Sequence, residues 1–334
     1  MTDSRQPTLE EVARLAGVGR GTASRVVNGS EHVSPHTRDA VERAVRELGY
    51  VPNQAARALK TRRTDTVALV IAEDEERVFA EPFFAGLVRG ISRSVDETSR
   101  RLVLSMVPDE SHLARLGQFL TPQHVDGVMV VSMHDALSLP ESPDLPIVHV
   151  GRPRDPRACF VDVDNVGGAR QAVDHIASRG RRRIATITGP QDLASGRDRL
   201  AGYREALEAA GLPFDDELVE AGDFSDASGV SGAAALLERR PDVDAIFAAN
   251  DVMALGALRE LGRRGVRVPE DVAIVGFDGS PAAAASTPVL TTVHQPLAEL
   301  GATAVDVLAR RIDDPAAEPR SVVLPAVLQA GETA

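Results

Sequence analysis

The sequence predicts a small all-α head followed by an α/β body of two lobes. Three observations carry that reading. Up to residue 48 apolar side chains recur at helical spacing, and from residue 66 short apolar runs alternate with amphipathic stretches instead. Charge divides at the same place. Residues 1–63 hold ten Arg and one Lys against seven Asp and Glu, a balance of +4 within a chain of net charge −12, so the rest carries about −16. Finally, the remaining stretch of about 270 residues is more than one sheet unit usually takes, and two similar lobes divide it.

The head reads as three short helices. Thr8 caps the first, with Glu11 closing a capping box three residues on and Val12, Leu15 and Ala16 forming an apolar face that ends at Gly17. A second helix starts after Gly19 and runs through Thr22, Ala23, Val26 and Val27 to Asn28-Gly29. Ser34-Pro35, a cap followed by proline at the first helical position, opens a third through Val41, Ala44, Val45 and Leu48 to Gly49. Residues 1–49 thus form one domain. Residues 50–64, largely VPNQAARALKTRRT, have too little apolar surface for a core, and a helix there is marginal alone in water. They read as a hinge that orders against a partner.

The body, 65–334, shows candidate strands at 67–72, 102–107, 127–132, 147–150, 183–188, 245–250 and 272–277. Amphipathic helical stretches lie at 83–98, 166–179, 196–210, 229–239, 252–264 and 296–311. Near-continuous apolar strands alternating with helices indicate parallel sheets covered on both faces.

A helix, a tight glycine turn and a second helix within about 20 residues match the helix-turn-helix unit, whose second helix presents its first turn to base edges in the major groove. Arg20 stands there, able to fork onto guanine O6 and N7, with Thr22 and Ser24 able to bond phosphates or bases and Arg25 near the same face. Periodicity alone also fits a three-helix domain that binds protein. The basic balance, the polar second helix and the basic hinge favour DNA. Gly17-Val18-Gly19-Arg20-Gly21 looks superficially like a dinucleotide loop, but that loop follows a strand and this one follows a helix.

In the body, open α/β sheets bind ligands at the carboxyl ends of strands. Arg152, Asn250-Asp251 and Asp278 stand at such ends, where carboxylates, amides and a guanidinium fork suit a ligand rich in hydroxyls. Phe83, Phe84 and Phe224 are candidates to stack on its apolar face. Each residue alone also reads as a strand-end cap or ion pair; their joint placement favours a site.

Composition agrees with a soluble chain: 43% hydrophobic, 26% charged, with no run of about 18 apolar residues. The polar, acidic start MTDSRQPTLEE lacks the basic and apolar regions of a signal peptide, which predicts a cytoplasmic protein. A lone Cys159 reads as a packing residue. No G-x-S-x-G, H-E-x-x-H or Walker A pattern occurs, and eight histidines are scattered without ligand spacing, so neither catalysis, a metal nor a cofactor is expected.

The stretch TLEEVARLAGVGRGTASRVVNGSEHVSPHTRDAVERAVRELGYVPNQAARALKTRRT resembles the head and hinge of the LacI/GalR family of bacterial repressors. The body resembles the family through GRP (151–153), DNVGGARQAVDHI (164–176), RRIATITGP (182–190), RLAGYREAL (199–207), AIFAANDVMALGAL (245–258), VPEDVAIVGFD (268–278) and LTTVHQP (290–296), nearly the whole chain in order. The resemblance implies a periplasmic-binding-protein-like body, and within the family the pattern is similar to sugar-responsive, cellobiose-repressor-like members. It implies base reading by Arg20, Gly21 and Arg25, and backbone contacts at or near Thr8, Thr22, Ser24, Asn28, His32, Val33, Ser34 and Thr37. Asn53, Ala56 and Arg57 match hinge positions facing the minor groove, and Leu59 the leucine that wedges into the operator's centre. Phe79, Phe83, Arg152, Ser195, Arg199, Phe224, Asn250, Asp278 and Gln295 match effector positions, with Arg199 and Asp278 as the hydroxyl clamp. Three substitutions depart from the family: Gly19 for a capping Ser, Gly21 without a reading side chain, and Gly279 for an acidic residue.

The function implied is a homodimeric repressor on a palindromic double-stranded operator, released by a small molecule, most simply a sugar. The absence of a leucine heptad after LPAVLQAGETA favours a dimer over a coiled-coil tetramer. A ligand acting as corepressor stays open, as does, from another class, a sugar-binding transport protein. The latter requires a leader and leaves residues 1–63 without use.

Overall fold

The computed structural model describes residues 7–27, 32–51, 63–137, 139 and 145–334. The chain divides into two units, Met1–Thr64 and Asp65–Ala334.

The head is built from α1 (Leu9–Leu15), α2 (Arg20–Val27) and α3 (Pro35–Leu48). The capping box closes as expected: Glu11 N donates to Thr8 Oγ1 at 3.3 Å and Thr8 N to Glu11 Oε2 at 2.7 Å. Gly17 takes φ +66°, a left-handed conformation that costs a residue with a Cβ, and Val18 N then donates back to Ala13 O at 3.0 Å, so α1 ends sharply and α2 starts at an angle. Val12, Ala13, Ala23, Val26, Val41 and Ala44 make a small core. Leu15, expected on the inner face of α1, is instead 46% exposed, because Val12 and Ala13 point α1 inward on a different side.

In the body, the first sheet comprises β1 (Thr66–Ile71), β2 (Arg101–Met106), β3 (Gly127–Val131), β4 (Ile147–Val150), β5 (Phe160–Val163) and β11 (Val322–Leu324), ordered β11-β5-β4-β3-β1-β2 and parallel throughout. Helices α4 (Glu75–Ala80), α5 (Pro82–Asp96), α6 (Glu110–Gly117) and α12 (Leu297–Asp313) belong to this lobe. The second sheet comprises β6 (Ile184–Thr188), β7 (Val219–Ala221), β8 (Ala245–Ala248), β9 (Ala273–Asp278), β10 (Thr291–His294) and β12 (Val327–Gln329), ordered β12-β10-β9-β8-β6-β7 with only β12 antiparallel. Its helices are α7 (Asn165–Ser178), α8 (Ala194–Ala209), α9 (Asp226–Arg239), α10 (Asp251–Arg263) and α11 (Pro281–Ala285).

Each sheet is buried on both faces. In the first lobe, Leu69, Leu87, Ile91, Met129 and Leu308 fill one side and Val70, Leu113, Val128 and Val130 the other. The chain passes between the lobes three times: from β5 to α7, from β10 through Gln295 to α12, and from β11 to β12. Strand carboxyl ends from both sheets converge on the cleft beside these crossings. Among the described residues no helix is long and apolar enough to cross a membrane.

Candidate functional site

On the head, α2 buries Ala23 and Val26, which turns Arg20, Gly21 and Arg25 outward. Arg20 is 71% exposed, its Nε 2.7 Å from Glu10 Oε1. An ion pair in water is worth about 1 kcal/mol or less, so Arg20 is freed for another partner at small cost. Arg25 Nε leans on Gly21 O at 3.4 Å, and Thr22 and Ser24 are half-buried beside it. Thr8 and Ser34 serve as helix caps, Ser34 Oγ accepting from Thr37 N at 3.3 Å; they sit at the starts of α1 and α3, and His32 is exposed. Asn28, Asn53, Ala56, Arg57 and Leu59 lie outside the described residues. A Cβ on Gly21 would meet nothing within 4 Å, so the missing side chain leaves open space on the exposed face.

The body's cleft encloses about 830 Å³, its open mouth included. Of the nine effector positions, Phe83, Arg152, Ser195, Arg199, Phe224, Asn250, Asp278 and Gln295 line it together. Phe79 does not: it is 78% exposed. On α4 it is Val78 that turns inward, and the next residue, about 100° further round the helix, faces solvent. Asp251, singled out beside Asn250, is also elsewhere. It is buried at the start of α10, its Oδ1 2.5 Å from Thr292 Oγ1 and its Oδ2 accepting from Ser280 N at 2.6 Å, and it ties the end of β9 to α10. Burial raises its carboxyl to about 7.

At the centre, Arg199 on α8 is buried. Its Nε donates to Asn165 Oδ1 at 2.9 Å, and Nη1 donates to Ala249 O at 2.6 Å and to Asp278 Oδ1 at 3.5 Å. The guanidinium lies 3.8 Å from the Phe277 ring centroid, a stacked cation that holds its plane. Asp278 Oδ1 also accepts from Gln295 Nε2 at 2.6 Å. Burial lifts Asp278 to about 6, with Arg199 and Gln295 pulling the other way. Asn250 has a positioning role: Oδ1 caps α10 by accepting from Met253 N at 2.8 Å, while Nδ2 holds Phe224 O at 3.0 Å. Phe224 sits at φ +69°, and its ring occupies the space that Gly189 leaves open.

Sequence reasoning missed several lining groups: Arg77, Glu81, His149, Asp162 and Asn165. Arg77 is ion-paired to Glu81 (2.8 Å) and Glu73 (3.3 Å) and lies 5.7 Å from the Phe224 ring centroid across the cleft. Burial raises Glu81 to about 7 and Asp162 to about 6, and keeps His149 below its ordinary value. At the mouth, His134 of the first lobe places Nδ1 2.7 Å from Asp192 Oδ2 of the second and Nε2 3.1 Å from Glu73 Oε1, while Arg197 reaches back to Asp135 at 2.9 Å.

A helix-turn-helix head joined in one chain to a two-lobed body with a polar, aromatic-walled cleft defines a DNA-binding regulator governed by a small ligand. Residues 8–53 match the model for bacterial regulatory proteins of the lacI family, and residues 173–334 that for a periplasmic binding protein-like domain. The chain is 51% identical to the HTH-type transcriptional regulator CelR of Thermobifida fusca, over 100% of both chains. It is 36% identical to the ribose operon repressor of Escherichia coli K12, over 96% of this chain and 98% of that one. Among solved structures, a CelR–cellobiose complex matches at 49% identity and TM-score 0.79, covering 98% of this chain and 100% of that one. A lac repressor dimer bound to operator and an anti-inducer matches at 28% identity and TM-score 0.83, covering 98% and 99%. The chain belongs to the lacI family of bacterial regulatory proteins.

Proposed function

We propose that this chain is a homodimeric transcriptional repressor that lets go of a palindromic operator when a sugar occupies its cleft. The observation that carries the reading is the buried Arg199–Asp278 pair, held by Asn165 and Gln295 in a cleft with Phe83 and Phe224 on its walls. Fixed acceptors and donors beside aromatic faces are what a polyhydroxylated, neutral ligand requires. The cellobiose complex of a relative with 49% identity supports the choice of sugar. The body binds this ligand without transforming it.

Each head reads one half-site through Arg20, with Arg25 beside it and the caps Thr8 and Ser34 near the phosphate backbone. Residues 50–64 form a separate hinge, with Leu59 as the wedge at the operator's centre and Asn53, Ala56 and Arg57 facing the minor groove. The sugar shifts the balance by binding one arrangement of the two lobes better than the other, and by no more than that difference. Electrophoretic shifts on the DNA upstream of the chain's own gene, with cellobiose, other sugars and purines added in turn, test the proposal. Release by one sugar supports it. A tightened complex reverses the sign to corepression, and an unaltered complex with every addition overturns effector control.

A further inference from the structure

Asp162 lies on β5, three residues before the chain crosses to the second lobe at Asn165, and is only 5% exposed. One of its carboxylate oxygens is fully used: Oδ1 accepts from Val163 N at 2.8 Å and from Asn165 Nδ2 at 3.1 Å. The other, Oδ2, is buried in the cleft wall without a hydrogen-bond partner, and Arg152 Nε stands 4.0 Å away, beyond hydrogen-bond range. Buried acceptors are rarely left without a donor, because water's hydrogen bonds are lost on burial and nothing replaces them. Here the missing donor has a natural source, since the oxygen borders the ligand's own space.

Building on the sugar reading above, we infer that Asp162 Oδ2 accepts a hydrogen bond from a hydroxyl of the bound effector, while Arg152, half-exposed at the same wall, donates to that hydroxyl's oxygen. This is a second anchoring point beside the Arg199–Asp278 clamp. The two are joined through Asn165, which donates to Asp162 and accepts from Arg199. The point also sets the ligand class. A carboxylate that needs a donor welcomes an uncharged hydroxyl and repels a phosphate ester or carboxylate placed there. The site therefore takes neutral sugars and discriminates against phosphorylated ones.

Calorimetric titration of the full chain with cellobiose and its monodeoxy analogues tests the assignment. In the wild type, one deoxy position is expected to weaken binding about 10–100-fold, the range for a lost hydrogen bond to a charged group. D162N, which keeps the Oδ1 acceptor and the shape, is expected to lose a similar factor on cellobiose and to stop distinguishing that one analogue. A purely structural role for Asp162 would weaken every analogue alike and leave the discrimination intact, which overturns the inference. Should D162N fail to fold, a crystal structure of the wild-type sugar complex decides instead: no ligand oxygen within hydrogen-bond reach of Asp162 Oδ2 overturns it equally. A wild type silent towards cellobiose, glucose and ribose alike overturns the sugar reading itself, an outcome distinct from binding that ignores Asp162.

Discussion

Replacing Arg199 by methionine keeps the length of the side chain and deletes its charge. The variant loses the donations to Asn165, Ala249 O and Asp278, and leaves Asp278 as a buried carboxylate with only Gln295 as donor. Removing one partner of a buried ion pair costs about 3–5 kcal/mol. A second bound agrees: taking up a proton at pH 7.5 frees Asp278 from its charge, and relative to the ordinary value of 3.8 that costs at most about 5 kcal/mol at 1.36 kcal/mol per unit. For a body of this size the melting temperature should fall by about 6–20 °C. The pH dependence is the sharper mark. Without Arg199 the folded carboxyl rises above the value of about 6 it has in the wild type, so the folded state binds its proton more tightly than the unfolded state does. Stability of the variant then rises as pH falls, and the gap to wild type should narrow by about 1–2 kcal/mol between pH 7.5 and 5.5. Urea unfolding followed by circular dichroism at both pH values measures this. A gap of equal size at both, or a double variant R199M/D278N no more stable than R199M, would refute the account of Asp278 as the orphaned charge.

Arg20→Ala should relax discrimination at one or two base pairs of each half-site by about 1–3 kcal/mol in competition gel shifts; loss spread evenly over all sequences would make Arg20 a phosphate contact. Gly189→Ala puts a Cβ 2.3 Å from Phe224 Cζ, so the ring must leave its place and sugar affinity should fall at least about tenfold; unchanged affinity would remove Phe224 from the binding wall. Because burial holds Asp162 and Asp278 at about 6, both acceptors fill with protons below that pH, and each should lower the affinity measured by calorimetry by up to about tenfold per pH unit below it. His134, raised above 6.5 chiefly by its bond to Glu73, stabilises the joined lobes fully below 6.5 and loses that contribution as pH climbs through its raised value. His134→Ala should thus lower the melting temperature by about 1–3 °C at pH 6 and by less at pH 9, since one partner, Asp192, is half-exposed.

Long amphipathic helices and the fully buried strands were legible because their periodicity is written over many residues: the stretch 166–179 became Asn165–Ser178 and 252–264 became Asp251–Arg263. Strands β5, β7, β10, β11 and β12 were not, being three or four residues long and partly polar, too short for any period to declare itself. Missing β5 is also why Asp162 escaped notice. With no strand predicted over FVDV, nothing singled out the carboxylate that β5 places in the cleft wall. Arg199 and Gln295 emerged only through the family resemblance, since a lone arginine on a helix and a glutamine after TTVH carry no local signal. Phe79 shows the opposite limit. The family resemblance matched it to an effector position, and one step around a short helix sent it to solvent.

The triple passage of the backbone between the lobes means that neither lobe is a contiguous piece of polypeptide. The first is assembled from residues 65–163 and 297–324, the second from 165–294 and the segment around β12. A protease that severs one connection leaves the halves tethered by the remaining two, so a nicked body should migrate as one particle under native conditions and as fragments only after denaturation. Gene truncation cannot liberate a half that folds by itself, because either half would surrender part of its own sheet.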